Sequence, residues 1–156
     1  MQIIRGDDYQ SWVYSNESDL VVVDPWLTKK QVFPKFSWLL NRESTKKAYL
    51  LSNNLIEKVS HIIITAHFSD HLDAESLNMF SKSIPIYTTH EASKALLKLG
   101  FKNVYAVNQN KSYELNSFVL NVYEAGKPYN TTTFSYSLTD GRAKVFHEPH
   151  MFNTKL

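Results

Sequence analysis

The chain contains no cysteine among its 156 residues. This absence excludes disulfide bonds, thiolate metal ligands and a cysteine nucleophile, and it is compatible with a reducing cytosol. Any protein-bound metal must therefore be held by histidine and carboxylate groups. A chain of this length can bury a substantial core without disulfides or a structural metal, so we predict one domain over residues 1–156.

The chain also lacks a long apolar run at its start and a concentration of charge of one sign. Residues 1–8 include acidic groups and no extended apolar stretch, so we expect no signal peptide, no membrane span and a cytoplasmic location. The formal net charge is only +2. Because lysine and arginine are scattered along the chain, we expect no binding to nucleic acid.

The first part of the sequence predicts an antiparallel hairpin. Residues 10–16 and 19–24 are rich in valine, tryptophan and tyrosine, and a turn-like segment separates them. Pro25 cannot donate to a β-ladder, so it ends the second strand and leaves Asp24 at the carboxyl end of that strand. Residues 28–59 are less regular, and we expect one helix around residues 48–58.

The middle of the chain alternates strands with helices. Residues 61–65 form a continuous apolar run, which is typical of a strand buried on both faces. The patterns that follow predict strands and helices in turn, at residues 73–80 (helix), 84–88 (strand), 90–99 (helix) and 104–107 (strand). This alternation predicts βαβ units and a largely parallel sheet.

After residue 110 the patterns indicate only strands, at residues 112–115, 117–123, 132–138 and 144–147. The predicted fold class is therefore α/β, with a mixed βαβ sheet followed by a second, antiparallel sheet.

The candidate chemistry lies in the loop that follows the buried strand. His67, Asp70 and His71 stand between the end of this strand and the next predicted helix. Imidazole and carboxylate suit zinc, manganese or iron, and a divalent ion so held can turn water into hydroxide near neutral pH. A metal-dependent hydrolytic site is the function that this loop favours.

Residues 65–71 (TAHFSDH) resemble the motif of the metallo-β-lactamase superfamily, in which a strand ending in threonine is followed by His-x-His-x-Asp-His. Thr65, Asp70 and His71 match that motif. The hairpin is similar as well, because residues 11–12 (SW) and 21–27 (VVVDPWL) look like the opening of the family. Residues 123–128, 133–138 and 148–150 resemble family members that are predicted metal-dependent hydrolases.

The resemblance implies a metallo-β-lactamase-like fold, zinc or another divalent metal, and hydrolysis of a small molecule that the sequence does not identify. It also implies a supporting role for Asp24, which would orient the ligand loop through hydrogen bonds.

The chain departs from the family motif at several positions. Ala66 and Phe68 stand where the first two histidines of the motif belong, and residues 126–130 lack the histidine usual in the third motif. His67 is displaced by one residue, which in an extended segment reverses the direction of its side chain. The resemblance therefore implies a degenerate site that holds one ion.

In this degenerate site Asp70 and His71 are the surviving ligands. His67 and His150 are the candidates for a further ligand. Asp70 is also the catalytic candidate, as the group that would accept or orient a proton.

Each of the loop residues has a structural alternative. Asp70 could cap the helix that follows, and His71 could be a buried imidazole bonded to the backbone. His67 could be an ordinary loop histidine exposed to solvent. His61 and His90 begin a core strand and a helix, and we expect both to be structural.

Near the end of the chain, His147 and His150 flank Glu148. These groups could bind a metal if they folded toward Asp70, but we expect them to be exposed near a terminus.

The resemblance covers nearly all of this chain but only the front part of the family fold. A shortened second half is expected to expose apolar sheet surface or a strand edge, and we expect a two-fold homodimer to cover it. Two hypotheses on function result. The first is a metal-dependent hydrolase with one residual site, and the second is a catalytically inactive remnant without metal that acts as a binding or self-associating module.

Overall fold

A computed structural model describes residues 1–32, 41–125 and 132–149, without the side chains of residues 31, 32 and 41. The strands in chain order are β1 (Gln2–Arg5), β2 (Trp12–Ser15), β3 (Leu20–Val23), β4 (Lys30–Val32), β5 (Asn41–Glu43), β6 (His61–Ile64), β7 (Ile86–Thr88), β8 (Val104–Ala106), β9 (Lys111–Leu115), β10 (Phe118–Glu124), β11 (Phe134–Thr139) and β12 (Lys144–His147). The helices are α1 (Tyr49–Ser52), α2 (Ala74–Leu77) and α3 (His90–Lys98), with a 3₁₀ turn at Ile56–Lys58.

The strands form two main sheets. The first sheet has six strands in the order β1-β2-β3-β6-β7-β8, and the second has four in the order β12-β11-β10-β9. In the first sheet β1, β2 and β3 pair antiparallel, while β3, β6, β7 and β8 pair parallel. The second sheet is antiparallel throughout. The predicted α/β class, with a mixed sheet and an antiparallel sheet, is confirmed.

Strand β6 is buried on both faces, as its apolar run predicted. Ile62 and Ile64 pack in the cluster that includes Leu77 and Leu96 of α2 and α3, whereas Ile63 packs with residues of the second sheet. Successive side chains of a strand point to opposite faces, so one short strand contributes to both halves of the core. The segment that leaves β6 is thereby fixed at the edge between the two sheets.

Asp19 links the two sheets. It lies in the turn between β2 and β3, and its carboxylate accepts hydrogen bonds from Ser117 N (3.1 Å), Ser117 Oγ (2.5 Å) and Asn116 Nδ2 (2.9 Å) in the turn between β9 and β10. Burial alone would raise the pKa of Asp19, but these hydrogen bonds lower it below its ordinary value. The two turns are therefore joined by a carboxylate that stays ionised.

Two predicted helices are shorter in the structure. The helix expected at residues 48–58 is interrupted because Asn54 adopts φ +54, so only α1 and the 3₁₀ turn form. The helix expected at residues 73–80 ends at Leu77, because after the cap residue Asn78 the amides of Met79 and Phe80 bond to the carbonyl three residues earlier instead of four. No helix in the described parts of the chain is long and apolar enough to cross a membrane.

Candidate functional site

Asp24 occupies the carboxyl end of β3 in a strained backbone conformation. Its φ is +44, in the left-handed region that few residues other than glycine adopt. The conformation is held by the amide of Asp24, which donates to Ile63 O (2.9 Å), and by Ser11 Oγ, which donates to Asp24 O (2.7 Å). Ser11 Oγ also accepts from Trp26 N (2.8 Å). The surrounding structure therefore turns the Asp24 side chain toward the end of β6 and keeps it there.

The Asp24 carboxylate binds the loop that follows β6. Thr65 donates to it twice, from N to Oδ1 (2.8 Å) and from Oγ1 to Oδ2 (2.5 Å), and His71 Nδ1 lies 2.8 Å from Oδ2. The side chains of His71 and Asp24 are 2% and 4% exposed. A buried carboxylate needs such compensation, and the three contacts supply it. Asp24 is thus bonded to both ends of the loop segment, and the supporting role that the resemblance implies for it stays a prediction.

The same contacts determine the electrostatics of His71. Burial alone would lower the pKa of His71, but the charge of Asp24, the hydrogen bond to it and the charge of Asp70 raise the pKa above its usual value. Since Nδ1 faces a carboxylate, the proton of the neutral ring resides on Nδ1. His71 Nε2 then lies on the side of Asp70.

Asp70 lies beside this Nε2 atom. Its Oδ2 is 3.7 Å from His71 Nε2, and its side chain is 25% exposed. The backbone carbonyl of Asp70 accepts a hydrogen bond from the side-chain amide of Gln10. The cap of α2 is Asp73, which accepts from Ser76 N (3.0 Å), so Asp70 is not the cap of that helix.

His67, Phe68 and Ala66, which precede Asp70 and His71 in the loop, do not add a donor to this pair. His67 is exposed, and its ring lies 4.5 Å from that of Phe68 at a tilt of 43°. The Phe68 ring in turn lies 6.5 Å from that of His71, at 62°. Ala66 is fully buried and pairs with Thr133 in an antiparallel bridge. An aromatic ring therefore lies against His71 at the position that the family motif gives to a histidine.

The structure places His147 differently from the sequence expectation, while His150 lies outside the described residues. His147 is half-buried, and its ring stacks on Tyr136 at 5.3 Å and meets Trp12 edge-on at 6.1 Å. Burial lowers the pKa of His147. The charge of Asp24 opposes this shift, whereas that of His71 adds to it. The expectation of an exposed His147 is wrong, because β12 pairs with β11 and brings this side chain between the sheets.

Asp70 and His71 fit two positions around a metal ion. Ligands on a tetrahedral zinc at about 2.1 Å from the ion lie roughly 3.4 Å apart, close to the 3.7 Å between Asp70 Oδ2 and His71 Nε2. The bond from His71 Nδ1 to Asp24 is the outer support that metal-binding imidazoles usually have. Within residues 1–32, 41–125 and 132–149, no group of three His, Asp or Glu residues could hold a metal. The described part of the site thus brings two possible donor atoms, Asp70 Oδ2 and His71 Nε2, to a spacing close to that of zinc ligands.

Other site neighbours carried no sequence signal. Thr133 Oγ1 donates to Thr65 O (2.8 Å), which joins the second sheet to the candidate loop. Tyr14 and Tyr136 bring their hydroxyl oxygens within 3.2 Å of each other, and burial raises the pKa of both, in Tyr136 well above the ordinary value. Threonine and tyrosine are common in strands, so only the three-dimensional pairing identifies these neighbours.

Comparisons with solved structures define the class of protein. The chain superposes on a possible metal-dependent hydrolase from Veillonella parvula DSM 2008 with a TM-score of 0.69 and 16% identity, covering 88% of this chain and 58% of that one. The metallo-β-lactamase fold protein YhfI from Bacillus subtilis gives a TM-score of 0.60 and 16% identity over 87% of this chain and 52% of YhfI. The chain has the metallo-β-lactamase fold, and the resemblance stated from the sequence is confirmed.

The chain is also similar in sequence to a known protein. The chain is 28% identical over 105 residues to the UPF0173 protein YddR of Bacillus subtilis (strain 168), which covers 65% of this chain and 41% of YddR. No family model matches the chain. The chain thus spans about half of the length of the proteins that it resembles.

Proposed function

We propose that the chain is a metal-dependent hydrolase of the metallo-β-lactamase fold that binds one divalent ion at Asp70 and His71. The observation that carries this proposal is the 3.7 Å spacing of Asp70 Oδ2 and His71 Nε2, with His71 Nδ1 held by Asp24. His150, which lies outside the described residues, is the candidate for a further ligand, and His67 would have to leave its contact with Phe68 to serve as one. The similarity to a possible metal-dependent hydrolase supports the same reaction class.

In this proposal each residue has a separate task. A bound divalent ion would supply hydroxide near neutral pH, and zinc is the ion that the imidazole and carboxylate donors favour. Asp70 is partly exposed, so its carboxylate can accept or orient a proton of the substrate, which we take to be a small molecule. Asp24 fixes the ring of His71 and takes no part in the bond-breaking step.

Metal analysis tests this function. Protein purified without a histidine tag, incubated with Zn²⁺ and dialysed is expected to retain about one ion per chain, since the two donors stand at ligand spacing. His71→Ala should lose the ion, while His90→Ala should keep it because His90 is an exposed residue at the start of α3. A wild-type protein that retains no zinc or manganese under these conditions, with native circular dichroism, would contradict the proposal.

A second candidate function is a binding module without catalysis. The contact between the rings of Phe68 and His71 favours it, because an aromatic side chain occupies a position that the family motif gives to a ligand. An empty wild-type site in the metal analysis is the result that this candidate expects.

We also propose that two copies of the chain associate. Among the described strands β12 is at the edge of its sheet, and Phe146 on it is 47% exposed and contacts Tyr123 at 5.9 Å. Pairing of two such edges would cover both. Sedimentation velocity should show a dimer that Phe146→Lys dissociates. A wild-type protein that is still monomeric at about 50 μM, a concentration well above the dissociation constant of a stable dimer, would reject this proposal.

The cytoplasmic location stays a prediction.

A further inference from the structure

A cavity of about 480 Å³ lies beside the segments that lead away from the candidate site. One wall comes from residues 26–29, which follow Asp24, and another comes from residues 44–48. Glu75 of α2, the helix that follows the loop of Asp70 and His71, lines it as well. The volume is in the range of small-molecule sites.

The floor of the cavity is apolar. Trp26 and Leu27 are buried, at 3% and 5% exposure, and Leu51 is half-buried. The indole N–H of Trp26 donates to Thr28 Oγ1 (3.0 Å), so the ring is fixed in orientation. A rigid indole and two leucines offer a surface for an aliphatic chain or a ring.

The rim of the cavity is basic. Lys29, Lys46 and Lys47 line it, and Glu75 is the acidic residue among the described residues of the lining. Lys29 is paired with Glu43 at 2.7 Å. Lys46 and Lys47 are exposed, and neither has an ion-pair partner in the described parts of the chain. The rim therefore carries positive charge that is not compensated locally.

The segment that carries the two lysines is held in place by Asp8. The Asp8 carboxylate accepts hydrogen bonds from Ser44 Oγ (2.8 Å), Thr45 N (3.0 Å) and Thr45 Oγ1 (2.9 Å), and Arg42 lies 3.0 Å from it. These contacts, first the bond from Thr45 N, hold the pKa of Asp8 well below its usual range. The negative charge of Asp8 is thus already balanced by Arg42. Lys46 and Lys47, which follow in the chain, can therefore act on a ligand.

The cavity is also connected to the candidate site through aromatic packing. Trp26 meets the ring of Tyr9 edge-on at 6.2 Å. Burial raises the pKa of Tyr9, and the negative charge of Asp70 adds to that effect. Tyr9 therefore contacts the indole at the floor of the cavity and is close enough to Asp70 for its charge to act on the Tyr9 hydroxyl.

We propose that this cavity binds an amphipathic monoanion, with its apolar part on Trp26, Leu27 and Leu51 and its acid group at Lys46 and Lys47. A medium-chain carboxylate has this chemistry. The apolar floor selects the chain through burial of surface, and the basic rim selects the charged end. The proposal concerns a site separate from Asp70 and His71 and does not depend on metal binding.

The test is a titration of the full chain with octanoate, followed by the indole resonance of Trp26 in ¹H–¹⁵N NMR spectra. That resonance is identified by its loss in Trp26→Phe. We expect a saturable shift with octanoate and a much weaker one with octanamide, which has the same chain without the charge. The double variant Lys46→Glu/Lys47→Glu should weaken octanoate binding on the order of tenfold, because it replaces two attractive charges at the rim by two repulsive ones that solvent partly screens.

The matched control is Lys94→Glu/Lys98→Glu, which changes the net charge equally at two exposed lysines of α3. It should leave octanoate affinity within about twofold of wild type, since exposed charges far from a ligand are screened by salt. The proposal is overturned if the Trp26 resonance does not move, if octanamide binds as tightly as octanoate, or if the control weakens binding as much as the rim variant. None of these results bears on the metal analysis.

Discussion

Replacement of Asp24 by alanine is expected to lower the free energy of unfolding by about 3–5 kcal/mol, the range seen when one partner of a buried ion pair is removed. The variant leaves His71 buried without its carboxylate and leaves the amide and hydroxyl of Thr65 without their acceptor. Alanine also tolerates the positive φ of this position less well than aspartate does. Urea unfolding followed by circular dichroism measures the change.

Asp24→Asn is the matched control for the backbone. Asparagine tolerates positive φ and can still accept from Thr65 N, but it removes the charge that faces His71. We expect it to be less destabilising than Asp24→Ala by about 1 kcal/mol or more, because one buried acceptor is kept. Equal losses in the two variants would show that the charge alone matters.

The pH dependence of the same variant tests the electrostatic part. The folded-state pKa of His71 is raised, so the stabilisation from its pairing with Asp24 is complete below the unfolded value of 6.5 and is lost as the pH rises through the folded value. The difference in unfolding free energy between wild type and Asp24→Asn should therefore be larger at about pH 6 than at about pH 9. The opposite order would contradict the pairing of a charged His71 with Asp24.

The elements that the sequence could predict are those with a strong periodic pattern or a clear end signal. β6 shows an apolar run, and α3 shows both a capping Thr89, which accepts from Ala92 N, and a terminal Gly100 at φ +88. β1, β4 and β5 had no such pattern and were not predicted. β1 is mostly exposed and, among the described strands, pairs with β2 alone, so its residues need no apolar alternation.

The sequence could predict the residues at the centre of the candidate site, but not the residues of the second sheet that pack around them. Asp24 and His71 belong to motifs that a sequence can show, and the structure joins them at 2.8 Å. The approach of His147 and Thr133 depends on how the second sheet packs against the first, which no local pattern encodes. His150 lies outside the described residues, so its place at this site stays a prediction.

Phe68→His is expected to strengthen zinc binding, because it puts a donor where the structure has an aromatic ring against His71. Two imidazoles on one tetrahedral zinc have ring centres about 5.3 Å apart, so the present 6.5 Å between the Phe68 and His71 ring centres has to close by about 1 Å. Structural zinc sites bind with about 10–16 kcal/mol for four ligands, or roughly 3 kcal/mol per ligand, so one added ligand can contribute on the order of 100-fold in affinity. Loss of Phe68 packing reduces this, and we expect a gain of at least about tenfold, measured by competition with a chelating dye.

Two further variants separate the new donor from the loss of the ring. Phe68→Leu removes the aromatic ring without adding a donor and should bind zinc no more tightly than wild type. Adding His71→Ala to Phe68→His should abolish the gain, because the proposed ion is shared between the introduced imidazole, Asp70 Oδ2 and His71 Nε2. A gain that is equal in the leucine variant, or that survives the loss of His71, would place the ion elsewhere and leave Phe68 as a packing residue only.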